Sequence, residues 1–128
     1  MRLNFKAGIN DWAASAAYYA RYYILYGLFM KCGIKSEIHE CSIAVAKTIF
    51  SDLISESLVE EIESAKTQRI NMQYYTDRPV EENKLQKNID TAGDFVIQLK
   101  SIMEKIGEEN IERIRRKIRE LIDTNIRT

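Results

Sequence analysis

The chain has 128 residues, with 19 Lys plus Arg balanced by 19 Asp plus Glu and 45% hydrophobic residues. This suits one compact domain over residues 1–128 and excludes a disordered tail or a chain-wide electrostatic grip on nucleic acid. Roughly two thirds of the unfolded surface of such a chain can be buried, so neither disulfides nor a metal is needed to fold it. A single Pro, few Gly and abundant Ala, Ile, Glu, Lys and Arg point to an all-α fold.

In chain order, Asn10 or Asp11 can cap a long first helix whose stripe is Trp12, Ala16, Tyr19, Tyr23, Tyr26 and Met30. Trp12 to Met30 contains Arg21 as its only basic residue and no acid, and approaches the length of a membrane span. Arg21 at its middle and tyrosines spread along it argue against insertion, so a helix buried on most faces is expected, and no membrane partner. Its tyrosines are expected to fill the core with hydroxyls at the rim, a minority facing a ligand groove.

Gly33 ends that helix. Ser36 then caps a shorter one, with Ile38, Cys41, Val45 and Ile49 on one face, running to about Phe50. Ser57 and Glu60 form a capping box for a third helix with the stripe Leu58, Ile62, Ala65, Arg69 and Met72. Asp77-Arg78-Pro79 breaks it and starts a fourth, whose stripe is Leu85, Ile89, Ala92, Val96, Leu99, Met103 and Ile106. Gly107 closes the fourth. A fifth, about 108–126, buries Ile111, Ile114, Ile118, Leu121 and Ile122, and either packs on the bundle or extends from it to meet a partner. The expected architecture is an antiparallel four- to five-helix bundle.

Arg69 stands out because it takes an apolar position on the third stripe. It is either an edge arginine, snorkelling or paired with an acid, or an anion-binding guanidinium in a groove. Asn71, Tyr74, Tyr75 and Arg78 follow it and add hydrogen-bonding and stacking groups suited to phosphate and base. His39, the sole histidine, excludes a two-histidine metal site within one chain, and no cofactor or metal is expected. The acidic run Glu56, Glu60, Glu61 and Glu63 complements a helix N-terminus. The basic run Arg113, Arg115, Arg116, Lys117 and Arg119 reads as a solvated face or a weak polyanion signal. Cys32 and Cys41 fit neither a thioredoxin-type pair nor a zinc framework, so two reduced, partly buried thiols are expected. No secretory signal pattern opens the sequence, and a cytoplasmic location is expected.

Taken together, Ala17-Tyr18-Tyr19-Ala20, Gly33, and His39 ahead of Phe50 resemble the HEPN (higher eukaryotes and prokaryotes nucleotide-binding) domain family. Arg69, Met72 and Tyr74 resemble its Arg-x-x-Ala-Asp-Tyr segment, and Ala92, Phe95 and Val96 its Ala-x-x-Phe helix, over about residues 9 to 106. The resemblance implies a helical bundle, usually a homodimer, often encoded beside a minimal nucleotidyltransferase as a toxin–antitoxin pair. Active relatives are metal-independent endoribonucleases with Arg-x(4 to 6)-His at the dimer cleft. Arg69 matches the arginine, whereas Tyr74 and Tyr75 stand where the histidine would be. Neutral tyrosine is a poor general base at pH 7, so the resemblance implies non-catalytic binding of nucleotide or RNA phosphate. The alternatives are an interaction module without ligand and an endoribonuclease with an atypical site. Relatives generally carry one more helix ahead of the aromatic one, which leaves a face for the fifth helix or a second protomer to cover.

Overall fold

The computed structural model describes residues 2–35, 39–74 and 82–127, without the side chains of 2–8, 39, 40, 73, 74, 82 and 125–127. Among them are five helices and no strand: α1 (Arg2–Lys31), α2 (His39–Thr48), α3 (Glu56–Tyr74), α4 (Glu82–Lys105) and α5 (Glu108–Arg127). The all-α bundle expected from composition is what forms. No helix among the described residues is long and apolar enough to cross a membrane.

Helix α1 is the hub, packed mainly on α3 and α4. It is one 30-residue helix that starts well before Asn10, so the cap expected at Asn10 or Asp11 is not formed. Capping residues express only a preference, and nothing in Arg2–Ile9 breaks a helix. Its C-terminus behaves as expected: Gly33 has φ 79°, and the Ile34 and Gly33 amides donate to the Phe29 and Met30 carbonyls at 2.8 and 3.0 Å. This pattern satisfies the last carbonyls and needs a left-handed residue. A side chain at Gly33 would also meet Arg115, whose Nη2 lies 2.5 Å from the position of a Cβ.

The face of α1 that enters the core is the reverse of the expected one. Ala14, Ala17, Tyr18, Arg21, Tyr22, Leu25, Leu28 and Phe29 are buried, while Trp12, Tyr23 and Met30 are exposed and Tyr19 and Tyr26 half-buried. The helix is apolar all round, so periodicity offers no contrast between faces.

Helix α3 runs antiparallel to α1: Glu61 meets Arg21, and Arg69 lies over Tyr18 and Tyr19. Its expected stripe holds, with Leu58, Ile62 and Ala65 buried and Arg69 and Met72 half-buried. Its cap is Ser55 rather than Ser57. The Ser55 hydroxyl accepts from the Leu58 amide at 3.3 Å, and its carbonyl accepts from the Leu58 and Val59 amides. The break expected at Asp77-Arg78-Pro79 lies outside the described residues. Helix α4 runs parallel to α1, Asn88 meeting Arg21 and the Met103 carbonyl meeting Lys31, and so antiparallel to α3, which it touches through the Asn88–Gln68 hydrogen bond of 2.7 Å. Leu85, Asn88, Phe95, Leu99 and Ile106 form its buried edge, whereas Ile89 of the expected stripe is exposed. The buried edge is rotated toward Asn88 because a buried arginine requires that amide.

In α2 the buried residues are Ser42, Ile43 and Ala46, with Ile49 and Phe50 following. Cys41 is exposed, contrary to expectation, and Val45 half-buried, because the face is turned by one residue. Cys32 is buried. Ser36 and Ile38 lie outside the described residues, as does the side chain of His39. Helix α5 closes one end of the bundle. Ile114 is fully buried, Ile111 and Ile118 pack on the core, and Leu121 and Ile122 are exposed rather than buried. Gly107 donates to Asn110 Oδ1 at its start (3.1 Å).

Most of the basic run on α5 is engaged in holding it there. Arg113 and Lys117 both reach Asp52, at 2.7 and 3.4 Å. Arg115 donates to the Cys32 carbonyl at 3.3 Å. These contacts favour a structural reading of the run over a polyanion signal.

Candidate functional site

Two arginines meet the face of α1 that packs on α3 and α4, and they differ in how they are satisfied. Arg21 is fully buried. Its Nε donates to Glu61 Oε2 (2.9 Å), Nη1 to the Ala17 carbonyl (3.1 Å) and Asn88 Oδ1 (2.5 Å), and Nη2 to the Asn88 carbonyl (2.9 Å) and Thr91 Oγ1 (3.0 Å). A guanidinium has five N–H donors, and all are used. Asn88 in turn donates to Gln68 Oε1 at 2.7 Å, and Thr91 to the Lys87 carbonyl at 2.7 Å. This node joins α1, α3 and α4 and forms one wall of a polar groove with Ser64, Gln68 and Lys87. Its satisfied valences make it a structural tie.

Arg69 is the opposite case. Its guanidinium carbon lies 5.7 Å from the Tyr18 ring centre and 4.9 Å from that of Tyr19. Cation–π contact of this kind holds the group against the rings. Its Nε is buried and has no hydrogen-bond partner among the described residues. No carboxylate of those residues pairs with it, which removes the paired-edge explanation there. Asp11, on the same face of α1 two turns before Tyr18, likewise has a buried Oδ1 without a partner among the described residues. Buried polar atoms are normally bonded, so among the described residues the α1–α3 seam holds a donor and an acceptor still open.

Tyr18 lies beneath Arg69 and is fully buried. Burial pushes its phenol up to about 12 from 10.0, opposed by the Arg69 charge and reinforced by Tyr22 and Tyr19. A raised folded value favours the neutral phenol. The stability tied to it, about 2–3 kcal/mol, is present below pH 10 and lost as pH rises toward 12. In a phenolate absorbance titration one tyrosine is therefore expected to ionise about two units late, and later still in Arg69→Ala. A set of tyrosines all ionising near pH 10 would contradict this.

Of the other residues expected at the site, Asn71 is half-buried. Helical spacing turns it about 200° from Arg69, onto the side of α3 that carries Ser64 and Gln68. Tyr75 and Arg78 lie outside the described residues, as does the side chain of Tyr74, whose backbone ends α3. Sequence reasoning missed Arg21, Asn88 and Asp11 as site neighbours. Arg21 had a signal, as the only charge in a nineteen-residue apolar stretch, and Asn88 another, as an amide between core positions of α4. The described residues contain no group of His, Cys, Asp and Glu suited to a metal ion.

No curated protein and no solved structure matches the chain. The HEPN domain family does, over residues 1–126. That match takes in all five helices, the aromatic first helix and Arg69 on the third among them, and the chain belongs to the HEPN domain family.

Proposed function

We propose that the protein binds the phosphate of a nucleotide or RNA through Arg69, without cleaving it, at the edge of a groove between two copies of the chain. The observation that carries this reading is a guanidinium fixed over two tyrosine rings with a buried Nε and no counter-ion among the described residues. Such a group is positioned and stripped of part of its water, and phosphate supplies acceptors for its planar fork. Asp11, two turns along α1 from Tyr18, offers an acceptor for a ligand hydroxyl or amine. Tyr74, Tyr75 and Arg78 are the further contacts proposed, Asn71 being turned to the other side of α3, and the absence of a histidine five or six residues after Arg69 supports binding over cleavage. The setting proposed is cytoplasmic.

A second reading is an interaction module paired with a nucleotidyltransferase in the toxin–antitoxin manner. The exposed apolar side of α1 favours it. Titration with short single-stranded RNA and with ATP, with Arg69→Ala alongside, separates the two. Binding weakened at least tenfold by Arg69→Ala is expected, in line with the loss of a charge-assisted pair. Equal binding by both proteins removes the assigned site, and no binding by either favours the interaction module.

A further inference from the structure

The C-terminal end of α1 and the middle of α5 border a depression of about 480 Å³, within the range of roughly 300–1,000 Å³ for small-molecule sites. It is separate from the site at Arg69. Gly33, which lines it, stands fourteen residues beyond Tyr19, about 21 Å along α1 at 1.5 Å per residue. Three arginines of α5 share it, Arg115, Arg116 and Arg119, with Glu112 as the one acid. At 3.6 residues per turn these four side chains fall in one sector of about 100°.

Arg115 is held in place. Its Nε donates to the Cys32 carbonyl at 3.3 Å, and its guanidinium sits so close to Gly33 that an added Cβ would lie 2.5 Å from Nη2. A guanidinium has five donors, and the four on its terminal nitrogens have no partner among the described residues. Arg116 and Arg119, both exposed, likewise make no hydrogen bond or ion pair there, and Glu112 pairs with none of the three.

We infer that this depression binds a compact polyvalent phosphate of the pyrophosphate class, with Arg115, Arg116 and Arg119 as its ligands. Like charges three and four residues apart on a helix repel one another, and three arginines against a single glutamate leave a surplus of positive charge that an anion relieves. The guanidinium fork matches phosphate oxygens in pairs. The carbonyls at the end of α1 are already covered, those of Met30 and Phe29 by the Gly33 and Ile34 amides and that of Cys32 by Arg115. Arg113 and Lys117, the rest of the basic run, are turned to Asp52. The charge therefore forms a cluster and not a track, which suits a small anion over a polymer. Half-buried Ile34 and Ile118 complete the wall and give a nucleoside an apolar surface to rest on.

Calorimetric titration of the intact chain with inorganic pyrophosphate, at constant ionic strength, tests this. It is best run on Arg69→Ala, which removes the phosphate site proposed above and so keeps the two readings apart. Saturable binding is expected to persist in that variant. Adding Arg116→Gln and Arg119→Gln is expected to weaken it at least about tenfold, the scale of losing charge-assisted hydrogen bonds, while circular dichroism shows the parent's helix content, because both side chains are exposed. ADP titrated in parallel identifies the source of the phosphate: tighter binding than pyrophosphate assigns it to a nucleotide and weaker binding to the free anion, and either upholds the site. Absence of pyrophosphate binding in Arg69→Ala overturns the inference. So does binding that survives the two glutamine substitutions undiminished.

Discussion

Replacing Arg21 by Met is expected to lower the free energy of unfolding by about 3–5 kcal/mol, the range for breaking one side of a buried ionic network. Methionine fills much of the same volume, so the loss is electrostatic rather than a cavity. What remains is the Asn88 side chain and carbonyl in the core, the Ala17 carbonyl with one partner fewer, and Glu61 without its cation. Glu61 is 31% exposed and can be rehydrated, whereas Asn88 is buried and cannot. Most of the effect should therefore come from Asn88. Urea unfolding checks this, and Arg21→Met/Asn88→Leu should recover part of the loss, because removing both sides of a buried polar contact is far cheaper than removing one. A single-variant loss under 1 kcal/mol would mean that water reaches the node.

Phe50→Ala is expected to cost about 3–5 kcal/mol, the usual range for truncating a buried phenylalanine. Phe50 follows α2, is fully buried, and stacks on Phe29 with ring centres 5.0 Å apart. It stands where the end of α1, the turn after α2 and α5 converge, close to Ile49 and Asp52, which Lys117 of α5 contacts. The gap should therefore loosen α5 as well, and faster hydrogen exchange in Glu108–Ile118 is the expected local sign. A double-mutant cycle with Phe29→Ala should give a coupling of about 0.5–1.5 kcal/mol, the value for an aromatic pair beyond its buried area. Additive losses would show that the two rings merely share a core.

Much of the fold is legible in the sequence where patterns have contrast. Gly33 needs a left-handed backbone, and α1 ends there. On α3, Leu58, Ile62 and Ala65 are set against charged neighbours, so the stripe and the anomaly of Arg69 within it can both be read. On α1 the contrast disappears: nearly every position is apolar, and what selects the buried face is the reach of Arg21 to Asn88 and Thr91, residues 67 and 70 positions away in the chain. No local pattern encodes such a partnership. The same long-range demand puts Asn88 in the core of α4 while Ile89 of the expected stripe faces water.

The site is legible only in part, for related reasons. Arg69 is visible as a charge on an apolar stripe, but its seat on Tyr18 and Tyr19 depends on the antiparallel pairing of α1 with α3. Asp11 reads as a cap because acids near an apolar run usually are, yet the helix continues through it and leaves its carboxylate in the seam. Ser55 replaces Ser57 as the cap of α3 because its hydroxyl lies three residues before Leu58, where the first free amide points.

The salt dependence of RNA binding tests the central claim about Arg69 most directly. Each phosphate contact on a single strand contributes about 0.7 to the slope of log affinity against log salt. Single-stranded RNA titrated at several salt concentrations should bind Arg69→Ala more weakly and with a slope shallower by roughly 0.7–1 than the parent. Equal slopes and equal affinities for the two proteins would contradict it.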